Sequence, residues 1–224
     1  MSEYIVINQK FRKPENSNQK IFRYMDYRKF KDLIKRSELY FSRIDKQEDD
    51  HEGKLLIAPP FSDVEYFRKP YEGLRKNTYI NCWRMDDNIS SDMGVWDAYC
   101  EDINHSVAIE STYGRLCNSI ILSIREIYIG MVEYDYNENK LKEEMDYIYM
   151  FKHPDYTKES ELRAVIPLGS YVYSQEEINP GAVPDDHMYV LINLNTLITK
   201  VHVSPKASVY FDNMVNAIIS KCRR

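Results

Sequence analysis

The sequence lacks most of the short signatures that mark familiar chemistry. It has no GxSxG, P-loop, GxGxxG or HExxH motif. Only seven of its 224 residues are glycine, which argues against a glycine-rich phosphate cradle. No apolar run approaches 18 residues, so no membrane-spanning segment is predicted. The usual sequence evidence for a nucleotide-binding loop, a serine hydrolase or a zinc protease is therefore missing.

Paired cysteines and an excess of basic charge are missing too. The 30 basic and 35 acidic residues leave a net charge of -5, unlike the footprint of a dedicated nucleic-acid binder, although a nucleic acid can still be a transient substrate. The N-terminal MSEYIVINQKF has no basic leader followed by an apolar stretch, so no secretion signal is predicted. We therefore expect a cytoplasmic protein with no membrane partner. Four cysteines without a CxxC pair predict buried or free thiols in a reducing compartment, at Cys82, Cys100, Cys117 and Cys222.

Tyrosine is abundant, and short apolar segments are spread along the whole chain. The 19 tyrosines are typical of half-buried strand faces, and they also suit a cleft that stacks flat ligands. Short strands outnumber helices without strict βαβ alternation, which predicts a single α+β domain over 1–224 with mainly antiparallel pairing. Residues 1–20 are expected to form a loose lead-in. Strands are predicted at 21–24, 39–42, 78–83, 107–110, 128–135, 147–152, 160–168 and 188–203, and helices at 27–37, 91–102, 116–127 and 207–221.

The stretch from Lys158 to Arg163 is the most informative candidate for chemistry. If residues 159–168 form a strand, Glu159, Glu161 and Arg163 share one face, and the apolar residues between them share the other. Two carboxylates on one face could act as acid and base or stabilise a developing positive charge. The alternative interpretation is a solvated strand face with a weak Glu–Arg pair.

Two other places in the sequence are candidates for ligand binding, one for a phosphate and one for a divalent cation. Arg23 lies between aromatic residues on a predicted strand, where a guanidinium could hold a phosphate or cover the sheet as an ordinary surface side chain. The acidic segment 48–53 contains Asp49, Asp50 and Glu52, which could bind a hard divalent cation or could simply be solvated.

Seven short motifs occur in an order and separation that resemble a bacterial family named domain of unknown function 2971. The resemblance runs from Ile21 to Ala207, followed by the C-terminal segment 207–224 that carries the last predicted helix. Two features depart from the family pattern: only Asp49 and Glu52 match its acidic loop, and Ser106 stands where the family has glycine. The motifs are IFRY (21–24), LYFS (39–42), EDDHEG (48–53), NCW (81–83), VWDAY (95–99), FK (151–152) and ESELR (159–163).

This layout in turn is similar to the ADP-ribosyltransferase fold, a split antiparallel sheet with flanking helices. The resemblance implies NAD as a substrate and no metal. It implies that Arg23 holds the pyrophosphate or adenosine side of NAD, and that Ser42 orients Arg23 or Glu161. Glu161 would bond the ribose 2′-hydroxyl and stabilise an oxocarbenium-like carbon, while Glu159 would deprotonate the acceptor. The ring that stacks the nicotinamide would be one of Tyr24, Trp83, Trp96 and Tyr99.

The same resemblance implies partners. Bacterial members of this group are often toxins or phage-defence effectors, so a macromolecular acceptor (RNA, DNA or protein) and a neutralising antitoxin or inhibitor protein are expected. We further expect the strands at 21–24, 39–42 and 159–163 to lie side by side, with Arg23 and Ser42 opening into one cleft with Glu161.

Three hypotheses follow from the sequence. The first is an NAD-dependent ADP-ribosyltransferase, and the second is a catalytically silent interaction or sensing module on the same fold. The third is a metal-dependent nuclease built on the acidic segment 48–53. Release of nicotinamide from NAD would identify the first, and metal-dependent cutting would identify the third.

Overall fold

The structure, a computed structural model, describes residues 11–46, 74–122, 126–134, 149–152, 154–168 and 185–222. Its fold is α+β, with an open, mostly antiparallel sheet and several helices, which confirms the predicted class. The strands are β1 Lys20–Asp26, β2 Glu38–Arg43, β3 Thr78–Met85, β4 Ser106–Thr112, β5 Ile120–Leu122, β6 Tyr128–Met131, β7 Glu161–Pro167, β8 His187–Ile192 and β9 Lys200–Val203. The α-helices are α1 Tyr27–Arg36, α2 Met93–Tyr99, α3 Tyr113–Ser119, α4 Leu194–Leu197 and α5 Val209–Cys222.

The local sequence explains helix α1 and its two ends. Phe30 and Leu33 are buried one turn apart, so one face of α1 packs inward. The helix ends at Ser37, which has left-handed backbone angles (φ 55°, ψ 39°) and donates its N–H to the Leu33 carbonyl. Asp26 stands at the N-cap, but its carboxylate accepts from the N–H groups of Glu101 and Asp102 instead. The predicted strand, helix and strand at 21–24, 27–37 and 39–42 are therefore confirmed.

The chain divides into two compact units, each made of three separate stretches. The first unit comprises Met1–Lys13, Tyr40–Asn81 and Ser123–Tyr189, and the second comprises Pro14–Leu39, Cys82–Leu122 and Val190–Arg224. Neither unit is continuous in sequence, and the prediction of a single domain stays a prediction.

In the second unit, β4 lies between β1 and β9, and all pairs are antiparallel. The last residues of β3 pair with β1, with Phe22 opposite Arg84. On one face, Phe22, Tyr24 and Ala108 pack against Trp96 and Cys100 to form a buried cluster. The aromatic side chains at strand positions therefore serve this unit mainly as core.

In the first unit, β6 and β7 form an antiparallel pair, with Gly130 opposite Arg163. The first residues of β3 pair with β2, where Ser42 lies opposite Ile80, and β7 also pairs with β3. The sequence predicts that three strands lie side by side: β1, β2 and β7. In the part of the chain that the structure describes, each of them is hydrogen-bonded to β3 and not to the other two.

Four secondary-structure predictions need correction. The apolar spacing from Leu116 onward predicts a helix to 127, but α3 ends at Ser119 and β5 follows. The predicted strand 188–203 is two strands, separated by the short helix α4. The described residues of the predicted strand 147–152 form a short 3₁₀ turn and a single bridge between Phe151 and Glu133. Glu159 ends a 3₁₀ segment, Pro154–Glu159, and is not part of β7.

No helix in the described part of the chain is long and apolar enough to cross a membrane. Among the described residues, Cys82, Cys100 and Cys117 are thiols and not part of disulfides.

Candidate functional site

A cluster of four charged residues lies at the start of β7 in the first unit. It consists of Lys152, Glu159, Glu161 and Arg163, and we call it the charged cluster. Glu161 and Arg163 lie on the same face of β7, as their two-residue spacing predicts. Both are buried, with relative exposures of 5% and 1%, so the alternative of a solvated strand face is wrong. β7 is covered on both faces, because every residue from Glu161 to Ile166 is buried.

The guanidinium of Arg163 holds the carboxylate of Glu161 with two hydrogen bonds. Nε of Arg163 is 2.5 Å from Oε1 of Glu161, and its NH2 group is 3.0 Å from Oε2. The other terminal nitrogen of Arg163 donates to the Tyr149 carbonyl at 2.5 Å. A planar guanidinium that binds both carboxylate oxygens fixes the orientation of that carboxylate as well as its charge.

Lys152 joins the two carboxylates of the cluster. Its ammonium is 2.5 Å from Oε2 of Glu159 and 3.2 Å from Oε2 of Glu161. The side chain of Lys152 is 8% exposed, and its ammonium lies 5.2 Å from the ring centre of Tyr156. The cluster therefore contains two cations and two anions.

Backbone pairing explains how residues far apart in sequence meet here. β6 runs beside β7, and the pairing continues past its end, where Val132 donates its N–H to the Glu161 carbonyl at 2.9 Å. Glu133 next forms a parallel bridge with Phe151, and the Lys152 N–H donates to the Glu133 carbonyl at 2.9 Å. These bonds bring Lys152 beside the start of β7.

The close approach of the chain at β6 requires glycine at position 130. A Cβ built on Gly130 would lie 2.6 Å from Cβ of Phe11 and 3.2 Å from the Arg12 carbonyl oxygen. Met131 donates its N–H to the same Arg12 carbonyl at 2.8 Å.

Tyr134 contacts the backbone of the charged cluster at Glu161. Its hydroxyl oxygen accepts a hydrogen bond from the Glu161 N–H at 2.9 Å. Burial raises the pKa of Tyr134 to about 12; the hydrogen bond from the Glu161 backbone lowers this pKa, while the negative charge of Glu161 raises it. The phenol of Tyr134 is therefore neutral at physiological pH and lies beside the carboxylates.

The two carboxylates differ in access. The Glu159 side chain is 29% exposed and the Glu161 side chain is 6% exposed. Glu159 is the last residue of the 3₁₀ segment and precedes Ser160, whose φ of 45° turns the chain sharply into β7. Glu159 can meet a molecule from solvent, while Glu161 provides a fixed negative charge behind it.

The Ser42 hydroxyl forms a local hydrogen bond. Ser42 is half-buried on β2, and its hydroxyl donates to the carbonyl of the next residue, Arg43, at 3.4 Å. The expected role of Ser42 in orienting Arg23 or Glu161 stays a prediction. Arg43 is buried and pairs with Asp45 and Asp186 at 2.6 and 2.9 Å.

Of the residues predicted to bind NAD, Ser42 belongs to the first unit, and the others belong to the second: Arg23, Tyr24, Trp83, Trp96 and Tyr99. Arg23 is half-buried on β1, and adjacent strand residues point to opposite faces, so Arg23 and Tyr24 lie on different sides of the sheet. Tyr24 meets the ring of Trp96 edge-on at 4.9 Å and stacks on Tyr99 at 5.5 Å.

Of the four candidate aromatic residues, three are buried. Trp83 and Trp96 are each 1% exposed and Tyr24 is 6% exposed, while Tyr99 is 37% exposed. The Trp96 indole donates to the Ser90 carbonyl at 3.0 Å. A ligand from solvent would therefore meet Tyr99 first.

The acidic segment 48–53, with Asp49, Asp50 and Glu52, lies outside the described residues, so the metal hypothesis stays a prediction. Within the residues that are described, no group of three or more His, Cys, Asp or Glu side chains is arranged to hold a metal ion.

Two residues of the site were missed as functional candidates from the sequence. Lys152 was part of the FK motif but had no assigned role, and the motif itself was the signal that could have drawn attention to it. Tyr134 had no sequence signal, because only the pairing of β6 with β7 brings it near Glu161.

Comparison with protein-family models, curated proteins and solved structures found no match.

Proposed function

We propose that the charged cluster is the catalytic centre of an NAD-dependent ADP-ribosyltransferase that modifies a macromolecule. The observation that supports this proposal is the pair of carboxylates at Glu159 and Glu161, one accessible and one buried, held by Lys152 and Arg163. The type of reaction is proposed from the resemblance of the sequence motifs. The difference in exposure between the two carboxylates supports assigning them different roles in that reaction.

The reaction needs a negative charge near the ribose and a base near the acceptor. The bond between nicotinamide and the ribose carbon breaks, its electron pair leaves with neutral nicotinamide, and positive charge develops on the ribose. Glu161 is held in place before reaction by Arg163, so its negative charge can stabilise this cation without rearrangement. Glu159, the more accessible carboxylate, would take the proton of the acceptor as the acceptor bonds to the ribose carbon.

The parts assigned to the other predicted residues follow from the resemblance alone. Arg23 and one aromatic residue, with Tyr99 the most exposed of those named, would contact NAD. Ser42 would orient Arg23 or Glu161. A toxin or phage-defence role, with an antitoxin as partner, belongs to the same proposal.

A second candidate function is an interaction or sensing module without catalysis. Both oxygens of Glu161 are bonded to Arg163, and one also contacts Lys152, an arrangement that equally suits a structural ion-pair network. The two candidates differ in whether NAD is consumed.

The first prediction tests the transferase directly. The protein is incubated with NAD and, in separate reactions, with RNA, DNA or a protein extract, and free nicotinamide and ADP-ribosylated product are measured. We expect Glu161→Gln to lower turnover about 10²-fold or more, because a fixed charge is lost from the developing cation. Glu159→Gln should lower transfer to the acceptor by a similar factor.

Glu15→Gln is the matched control, since it removes one exposed carboxylate of the second unit and should leave turnover unchanged. Absence of NAD consumption by the wild-type protein with every acceptor would favour the silent module. Nucleic-acid cutting that EDTA abolishes, and that Asp49→Asn with Asp50→Asn removes, would favour the nuclease instead.

A further inference from the structure

Lys152 occupies the central position in the charged cluster. Its ammonium is within 3.2 Å of an oxygen from each carboxylate, while the guanidinium of Arg163 hydrogen-bonds both oxygens of Glu161. Among the described residues, the charged and titratable groups that face Lys152 include Glu159, Glu161, Tyr156 and Tyr134, with Arg163 bonded to Glu161.

The position of Lys152 has a direct electrostatic consequence. Two carboxylates that contact the same ammonium lie close together, and without a cation between them each would disfavour the ionised form of the other. An ammonium between them attracts both, and burial strengthens this attraction because less water screens it. Lys152 thus offsets the negative charge of the two carboxylates and sets the distance between them.

The backbone holds Lys152 in this position independently of the side-chain contacts. Its N–H bonds to the Glu133 carbonyl, and the 3₁₀ segment Pro154–Glu159 returns the chain so that Glu159 comes back to the ammonium seven residues later. The side chain therefore extends from an anchored backbone.

We propose that Lys152 is a positioning residue that sets the separation and the ionisation of Glu159 and Glu161. The catalytic consequence rests on the proposed transferase function, whereas the electrostatic role does not. Lys152 acts through the two carboxylates and is not itself assigned a contact with NAD or the acceptor.

The electrostatic role can be tested without any activity. We compare urea unfolding of the wild type, Lys152→Gln, Lys152→Arg and Lys76→Gln at pH 7 and pH 4. Lys76 is an exposed lysine of the same unit, so its replacement controls for net charge. Lys152→Gln should lower the unfolding midpoint at pH 7, because the carboxylates then repel each other. The difference from wild type should fall to about half or less at pH 4, where protonation removes the repulsion.

Lys152→Arg should behave like the wild type at both pH values, because it retains the charge. A loss of stability in Lys152→Gln that is equal at the two pH values would show that the residue only fills space, and would overturn the proposal. Behaviour of Lys152→Gln identical to that of Lys76→Gln would overturn it as well.

The catalytic consequence is measured on the same variants. We expect Lys152→Gln to lower kcat for NAD about 10²-fold, as misplacement of catalytic groups does, with a smaller change in KM. The acid limb of its pH–rate profile should move to higher pH, because the carboxylates ionise less readily, and Lys152→Arg should restore most of the rate. An unchanged profile with unchanged kcat would contradict the positioning role. A wild-type protein without NAD turnover would refute the transferase, while the unfolding comparison would still decide the role of Lys152.

Discussion

At the scale of single residues, the two carboxylates of the charged cluster have different surroundings although they are only two positions apart. Glu161 is buried and bonded to Arg163 and Lys152, whereas Glu159 is partly exposed at the end of a 3₁₀ segment. A carboxylate on an open cleft face could be neutralised with little effect on folding. Glu161 is not in that position, so its replacement affects stability as well as chemistry.

The second prediction follows from this difference. Glu161→Gln should lower the free energy of unfolding at pH 7 by about 3 kcal/mol, because it leaves a buried guanidinium without its anion. Glu159→Gln should cost less than about 1 kcal/mol, as is usual for partly solvated pairs. Urea unfolding measures both values. Equal costs for the two variants would show that burial does not distinguish these carboxylates, and activity assays should use conditions in which each variant is folded.

At the scale of secondary-structure elements, the charged cluster depends on how β6 and the residues after it are placed. β6 pairs with β7, and the residues that follow β6 carry Tyr134 and the bridge that anchors Lys152. Gly130, in the middle of β6, allows the segment around Phe11 to approach within a distance that no side chain would permit. The cluster is therefore sensitive to a residue that carries no charge.

The third prediction concerns this glycine. Gly130→Ala should destabilise the protein by about 1–3 kcal/mol, the usual cost of overpacking, because its Cβ would lie 2.6 Å from Cβ of Phe11. Gly94→Ala is the matched control. It lies in α2, where alanine is favoured, and its Cβ would meet nothing closer than the Asp92 carboxylate at 3.3 Å. Thermal unfolding of both variants is the measurement, and a Gly130→Ala protein as stable as the wild type would show that the Phe11 segment moves freely away.

At the scale of the whole molecule, the abundance of tyrosine has a consequence for stability at alkaline pH. Burial raises the pKa of Tyr24, Tyr79, Tyr113 and Tyr134 above the ordinary value of 10.0. Below pH 10 a tyrosine keeps its proton in both the folded and the unfolded state. Above pH 10 the unfolded chain loses protons that the folded chain retains, so the unfolded state is favoured and stability falls as pH rises.

The fourth prediction isolates one of these phenols. Tyr134 has a pKa of about 12 in the folded protein, so its contribution is present below pH 10 and is lost between pH 10 and 12. Tyr134→Phe should therefore show a shallower decrease of unfolding free energy over this interval than the wild type. Tyr210→Phe, at a side chain that is 74% exposed, should leave the slope unchanged. Urea unfolding at pH 9, 10 and 11 tests this, and identical slopes for all three proteins would contradict it.

The sequence by itself determined those features of the fold that depend on the spacing of apolar and polar residues within one segment. The α+β class, the strand–helix–strand start through α1, the C-terminal helix α5 and the shared face of Glu161 and Arg163 all follow from spacings of two or of three to four residues. Only the tertiary structure decided which segments pair. Three features depend on pairing between residues distant in sequence, such as Tyr128 with Val165. They are the meeting of Lys152 with the two carboxylates, the contact of Tyr134 with the Glu161 backbone, and the burial of both faces of β7. A pattern within one segment carries no information about its partner in the sheet, because strand pairing is set by long-range packing. For the same reason the interval after α3 continues an apolar helical spacing and yet forms a strand, where β8 lies beside it.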